Sequence, residues 1–282
     1  MSVYKNTSFV LPLQKKSTKR ALLTIKSPAK EIESTNRGIL TVIIYLCSPK
    51  KIPISNMKKI WILAVLTICS VATQAQEVFI NADFVSNYMW RGIKCGSASV
   101  QPTLGVTAGG FTISAWGSTE FSDKNNEIDL TLEYEYKRLR LIINNVFYQG
   151  EGETFKYFNY QAHSTNHTFE FGAEYAISER FPLTAAWYTI FAGNDYRENG
   201  KRAWSSYCQL SYPFNVKDIE LSIEAGFTPW DGTYADKFNV NNIALKASKA
   251  LQITDRFSFP LFGKVGFNPY ESTAYFVVGI SL

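Results

Sequence analysis

The chain has 282 residues, of which 46% are hydrophobic and 15% aromatic, with a formal net charge of +5. That charge averages two unlike parts. Residues 1–59 hold twelve Lys/Arg and two Glu; taking these from the 29 and 24 of the whole leaves 17 Lys/Arg against 22 Asp/Glu, a net of −5, from Glu77 onward. The balance excludes a basic, nucleic-acid-binding surface, and the four cysteines show no C-x-x-C spacing and the two histidines no H-E-x-x-H spacing that would hold a metal.

Residues 1–56 read as a basic N-terminal extension, either disordered or the product of a start placed upstream of Met57. Residues 57–75 read as a secretory signal peptide. Lys58-Lys59 is followed by the apolar run Ile60–Val71 and then small residues up to Ala75, where cleavage is expected. That run is too short to span a bilayer as a helix. Residues 76–282 form the exported part. It keeps Cys95 and Cys208, which could pair, although one falls near a strand end and the other in mid-strand.

Beyond the signal the sequence alternates with period two, the pattern of strands whose successive side chains point to opposite faces. In Val78–Gly92, the residues Val78, Ile80, Ala82, Phe84, Ser86, Tyr88 and Trp90 share one face, and Asn81, Asp83 and Arg91 lie on the other. The segment is long for a soluble strand. Val100–Ala108 and Phe111–Phe121 follow, joined at Gly109-Gly110. Glu127–Lys137 is the clearest strand, with Ile128, Leu130, Leu132, Tyr134 and Tyr136 opposed to Glu127, Asp129, Thr131, Glu133 and Glu135. Leu139–Tyr148, His167–Ile177, Leu183–Ala192, Ala203–Tyr212, Ile219–Phe227, Val240–Leu251, Phe257–Phe267 and Thr273–Leu282 complete the set.

These twelve segments are joined alternately by long polar connections and short turns. Long outer loops, short periplasmic turns, an even strand count and aromatics near strand ends predict an all-β fold, a transmembrane antiparallel up-and-down β-barrel of about twelve strands. Closure removes the unpaired edges that lipid cannot satisfy. A secreted β-sandwich shares the alternation, but here the apolar face is rich in aromatics and the other face is acidic or hydroxylic, as a wet lumen requires.

The run Ser86-Asn87-Tyr88-Met89-Trp90-Arg91-Gly92 resembles the S-[DN]-Y-x-[FW]-R-G opening of the TorF-like porin family, and Gly110-Phe111 with Trp116-Gly117-Ser118 resembles its second element. The resemblance covers most of Glu77–Leu282. It implies a bacterial outer-membrane location and a barrel shape, and no particular solute.

The lumen-facing candidates are Asp83, Arg91, Asp129, Glu133, Glu135, Glu170, Glu174, Glu220, Glu224 and Lys264. An open lumen so lined favours cations or neutral polar solutes; the alternative is that these charges pair and fill the barrel. Arg91 is expected to brace the wall through Asp129 or Glu133, the alternative being contact with an anionic part of a solute. Tyr88 and Trp90 are assigned to the interfacial aromatic belt. The functional expectation is a small, solute-specific passive channel. Its partners are outer-membrane lipid, small polar or cationic solutes and the barrel-assembly machinery, with no cofactor. The alternative is a non-conducting barrel that binds partners or glycans through its loops Gln149–Asn166 and Thr228–Phe238. An outer-membrane hydrolase is not expected, because the two histidines, His163 and His167, have no well-placed nucleophile beside them.

Overall fold

The structure is a computed structural model, and it describes residues 77–255 and 257–282. The predicted extension and signal peptide lie outside the described residues. Fourteen strands occur among those described: β1 (Glu77–Val85), β2 (Tyr88–Trp90), β3 (Ile93–Gly96), β4 (Ser99–Ala108), β5 (Phe111–Glu120), β6 (Asn126–Tyr136), β7 (Leu139–Gln149), β8 (His167–Ala176), β9 (Thr184–Gly193), β10 (Ser206–Val216), β11 (Ile219–Thr228), β12 (Asn239–Thr254), β13 (Phe257–Asn268) and β14 (Thr273–Ser281).

Twelve of them, β1 and β4 to β14, pair antiparallel in sequence order and close into a barrel. The seam joins β1 to β14 through Asp83↔Ser281, Phe84↔Ile280 and Val85↔Gly279. One end carries two-residue turns, as between Tyr136 and Leu139 and between Val216 and Ile219. The other end carries the long connections, among them residues 150–166, 194–205 and 229–238.

Side chains are distributed inside-out relative to a soluble protein. Val78, Ile80, Leu130, Leu132, Ile143, Ile223, Leu245 and Phe276 are exposed on the outer surface, whereas Asp129, Asn144, Glu170 and Glu174 are buried inside. Strands of about ten residues with an apolar exterior and polar interior make a transmembrane barrel. Along β6 the apolar set Leu130 and Leu132 faces out, and Glu127, Asp129 and Thr131 face in. The alternation legible in the sequence thus decides which side meets lipid.

The stretch Val78–Gly92 is not one strand. β1 stops at Val85, and the chain leaves the wall at Ser86-Asn87. It then forms a separate two-stranded hairpin, β2–β3, in which Trp90 pairs with Ile93. Arg91 (φ 49°) and Gly92 (φ 80°) occupy the turn. Two successive residues with positive φ match the type I′ geometry that suits a two-residue hairpin. Tyr88, Trp90 and Cys95 are buried in one cluster with Trp116 of β5, Ile142 of β7, Ala186 and Tyr188 of β9, Tyr207 of β10 and Tyr234. A hairpin that touches so many strands of the wall at once lies inside the barrel, across its lumen. Its core is therefore an aromatic core within the barrel.

On the outer rim, the 150–166 connection folds back on the wall. Phe147 of β7 is buried beneath Phe155 and Tyr157, with ring centroids 5.0 and 5.1 Å away. His167 is buried beside it, with Nδ1 2.8 Å from Asn145 Oδ1 and Nε2 2.5 Å from the Tyr157 carbonyl oxygen.

Candidate functional site

The tip of the hairpin places Arg91 where charge is costly. Its side chain is 5% exposed, and that of Glu170 is 2% exposed. An isolated charge in such a setting carries a large desolvation penalty, which only close pairing with good geometry offsets. That geometry is present. Nη1 of Arg91 donates to Glu170 Oε2 at 2.6 Å and Nη2 donates to Oε1 at 3.0 Å, the parallel two-bond arrangement in which guanidinium and carboxylate fit best. Nη1 also donates to the Tyr234 hydroxyl at 2.5 Å.

Rings complete the enclosure. The guanidinium carbon lies 4.3 Å from the ring centroid of Trp90, 4.2 Å from that of Tyr188, 4.7 Å from that of Tyr207 and 5.5 Å from that of Tyr234. All four are within cation–π range. Burial works against the charged guanidinium, but the Glu170 carboxylate together with Tyr234 and Tyr188 outweighs it and holds the Arg91 pKa above its ordinary value. Burial likewise raises the Tyr234 phenol well above its usual range, with Arg91 opposing only in part. Arg91 is thus a permanent cation, and Tyr234 a neutral hydroxyl beside it.

The hairpin is pinned at further points. The Asn268 side-chain amide donates to the Gly92 carbonyl at 3.3 Å. A Cβ at position 92 would overlap the Asn241 carbonyl oxygen and stand 3.1 Å from its carbon, so the turn touches the β12 backbone with no room for a side chain. Tyr148 of β7 donates to the Cys95 carbonyl at 2.9 Å. The seat therefore involves β7 to β10, β12 and β13.

Below the hairpin, toward the short turns, the lumen is lined by paired charges. Arg140 of β7 bonds Glu133 of β6 at 2.5 Å and Glu174 of β8 at 3.4 Å. Tyr188 donates to Glu174 at 2.7 Å. Across the lumen, Lys264 of β13 meets Glu224 of β11 at 2.6 Å. Ser281 donates to Asp83 at 2.5 Å across the barrel seam. Glu220 shares the inward face of β11 with Glu224. Among the described residues, the inward charges are Asp83, Glu120, Glu127, Asp129, Glu133, Glu170, Glu174, Glu220 and Glu224 against Arg91, Arg140, Lys246 and Lys264. The interior therefore has an acidic excess.

The structure places the predicted residues as follows. Asp83, Asp129, Glu133, Glu170, Glu174, Glu220, Glu224 and Lys264 lie on inward faces, while Glu135 sits exposed at the short-turn rim. Arg91 points into the lumen, but its partner is Glu170 rather than Asp129 or Glu133. Asp129 is bonded by the Asn144 amide at 3.2 Å, and Glu133 by Arg140. Tyr88 and Trp90 require correction, because both are 5% exposed inside the barrel rather than at a lipid interface. Their alternation runs in phase with β1, but the chain turns inward at Ser86-Asn87. The sequence reading also missed Tyr188, Tyr207 and Tyr234. Tyr188 and Tyr207 share inward strand faces, but only the hairpin's presence gives those faces a purpose. Cys95 and Cys208 are both buried free thiols.

No family model matches the chain, and no curated protein matches it. Among solved structures, it is similar to the KdgM porin at 11% identity, covering 73% of this chain and 98% of that one with a TM-score of 0.42. The same values hold for the KdgM porin in complex with disordered oligogalacturonate. A triple-mutant Rhodopseudomonas blastica porin is similar at 11% identity, covering 65% of this chain and 55% of that one with a TM-score of 0.32.

Proposed function

We propose that the chain is a bacterial outer-membrane barrel acting as a narrow passive channel for small polar or cationic solutes, with the β2–β3 hairpin as its constriction. The observation that carries this reading is the position of that hairpin. It crosses the lumen toward the long-loop end, and a charged, polar vestibule lies beneath it. A barrel that served only as a scaffold has no need of a separate inward element held at its tip by one buried ion pair. Twelve strands lie between the eight that side chains fill and the sixteen of general porins, so one hairpin is enough to set the bore. The acidic excess beneath it favours cations.

The test is single-channel recording in planar bilayers with a salt gradient. Small, cation-selective conductance is expected. Anion selectivity would remove the acidic-vestibule part of the reading, and an absence of conductance in both the native chain and hairpin variants would remove the channel.

A second reading rests on the 150–166 connection. It carries an exposed Phe158 beside a cleft of about 520 Å³ lined by Glu153, Lys156, Asn159, Gln161 and Asn166. Amides and carboxylates beside an exposed ring suit surface recognition. Deleting this loop would abolish partner binding on that reading and leave conductance unchanged.

A further inference from the structure

The groups around the Arg91 guanidinium divide unequally between the hairpin and its surroundings. Glu170 belongs to β8, Tyr188 to β9, Tyr207 to β10 and Tyr234 to the β11–β12 connection; only Trp90 travels with the hairpin. The wall by itself therefore offers one carboxylate presenting both oxygens at 2.6 and 3.0 Å, a hydroxyl, and three tyrosine faces at 4.2 to 5.5 Å. A planar delocalised cation satisfies all of these together, through two parallel hydrogen bonds in the carboxylate plane and ring contacts on its faces. A compact ammonium offers no such fork.

We propose that this pocket of the wall is a binding site for guanidinium-bearing solutes, and that Arg91 is a tethered mimic occupying it. This rests on the channel reading and names the solute class of that channel. A solute carrying a guanidinium exchanges for Arg91. The exchange replaces one set of interactions by the same set, so its free-energy difference is small. As the solute takes Glu170, the hairpin tip loses its ionic anchor, keeps only its neutral contacts to the wall, and is freed to move out of the constriction. Arg91 then acts as a gate whose release is selective for its own chemical likeness. A tethered competitor has an effective concentration on the order of millimolar or above, so half-maximal opening is expected at millimolar solute.

The experiment uses the purified full barrel, with arginine, lysine and citrulline as probes. Citrulline replaces the guanidinium by a neutral urea, and lysine keeps the charge without the fork. Two readouts are taken. In proteoliposome swelling, the native chain should admit arginine several-fold faster than lysine or citrulline, and Glu170→Gln should remove the difference. In detergent, Arg91→Ala leaves the pocket vacant, and millimolar arginine should raise its melting temperature where citrulline does not; Arg91→Ala with Glu170→Gln should show no shift. Heat-modifiable gel mobility checks that each variant is folded, and Arg91→Met, which keeps an apolar stem without the cation, serves if Arg91→Ala is not. Equal effects of lysine and arginine overturn the guanidinium assignment. No arginine-dependent shift in a folded vacant variant overturns the site. A clear shift with no swelling by any solute keeps the site and overturns the channel.

Discussion

Gly92→Ala is the sharpest perturbation of the hairpin's seat, because it adds one carbon to the turn and removes no contact. Position 92 has φ of 80°, a region that costs a residue with a Cβ about 1–2 kcal/mol. The added carbon also meets the Asn241 backbone, which cannot rotate away as a side chain could; overpacking of this kind costs about 1–3 kcal/mol. Together these are about 3 kcal/mol against the seated hairpin, or roughly a hundredfold in the balance between seated and withdrawn states. The clash meets the wall only at the Asn241–Asn242 backbone of β12 and is relieved when the hairpin withdraws, so the pairing of the wall strands should be preserved. Single-channel recording should show a higher open probability or larger unitary conductance than the native chain. Gly109→Ala is the control. It too has positive φ, 57°, but nothing lies within 4 Å of its Cβ, and it sits in a turn at the opposite end. It should carry the backbone strain without the conductance change. If Gly92→Ala conducts as the native barrel does, the hairpin does not set the bore.

Further outcomes follow from other contacts. Cys95 is buried in the hairpin, so in a Cys208→Ala background maleimide labelling should be slow in the native barrel and fast in Gly92→Ala. Arg140→Met leaves Glu133 and Glu174 without their shared cation. The side chain is partly exposed, so the loss should stay below the roughly 3–5 kcal/mol of a fully buried pair, and the reversal potential should move toward stronger cation selectivity. Lys264→Gln should move it the same way by freeing Glu224, with a smaller effect on stability. His167→Ala removes the ring that ties the 150–166 connection to the wall through Asn145 and Tyr157. Trypsin should then cut at Lys156 markedly faster, at a stability cost of about 1–3 kcal/mol from the buried groups left unpaired.

The barrel itself was legible because its physics is local. A strand with one face in lipid and one in a polar lumen must alternate, and β6, β8 and β11 do so residue by residue. The two-residue turns at Gly109-Gly110 and Lys137-Arg138 mark the short-loop end. The hairpin was not legible from alternation, since β1 and β2 are in phase across Ser86-Asn87 and period-two counting runs through the break. Two signals did point to it: the excess length of Val78–Gly92, and Arg91-Gly92 as a dipeptide that accommodates a tight turn. The pairing of Arg91 with Glu170 could not be read, because it joins residues 79 positions apart. Inward-facing charge alone does not say which of eight carboxylates a single arginine will meet.

The span of the hairpin's contacts also constrains the order of assembly. Gly92 is anchored by Asn268, 176 positions later, and Arg91 by Tyr234, 143 positions later. Contacts at such separation form only after the intervening chain is ordered. The segment nearest the start of the barrel is therefore among the last to find its place, after β8 to β13 have lined up and the wall offers a seat. The seam that closes the cylinder joins Asp83 to Ser281, 198 positions apart, so docking of the hairpin and closure of the wall are both late steps. A variant that weakens the seat should delay occlusion of the bore without delaying closure of the wall, so the kinetics of the two steps should separate in time.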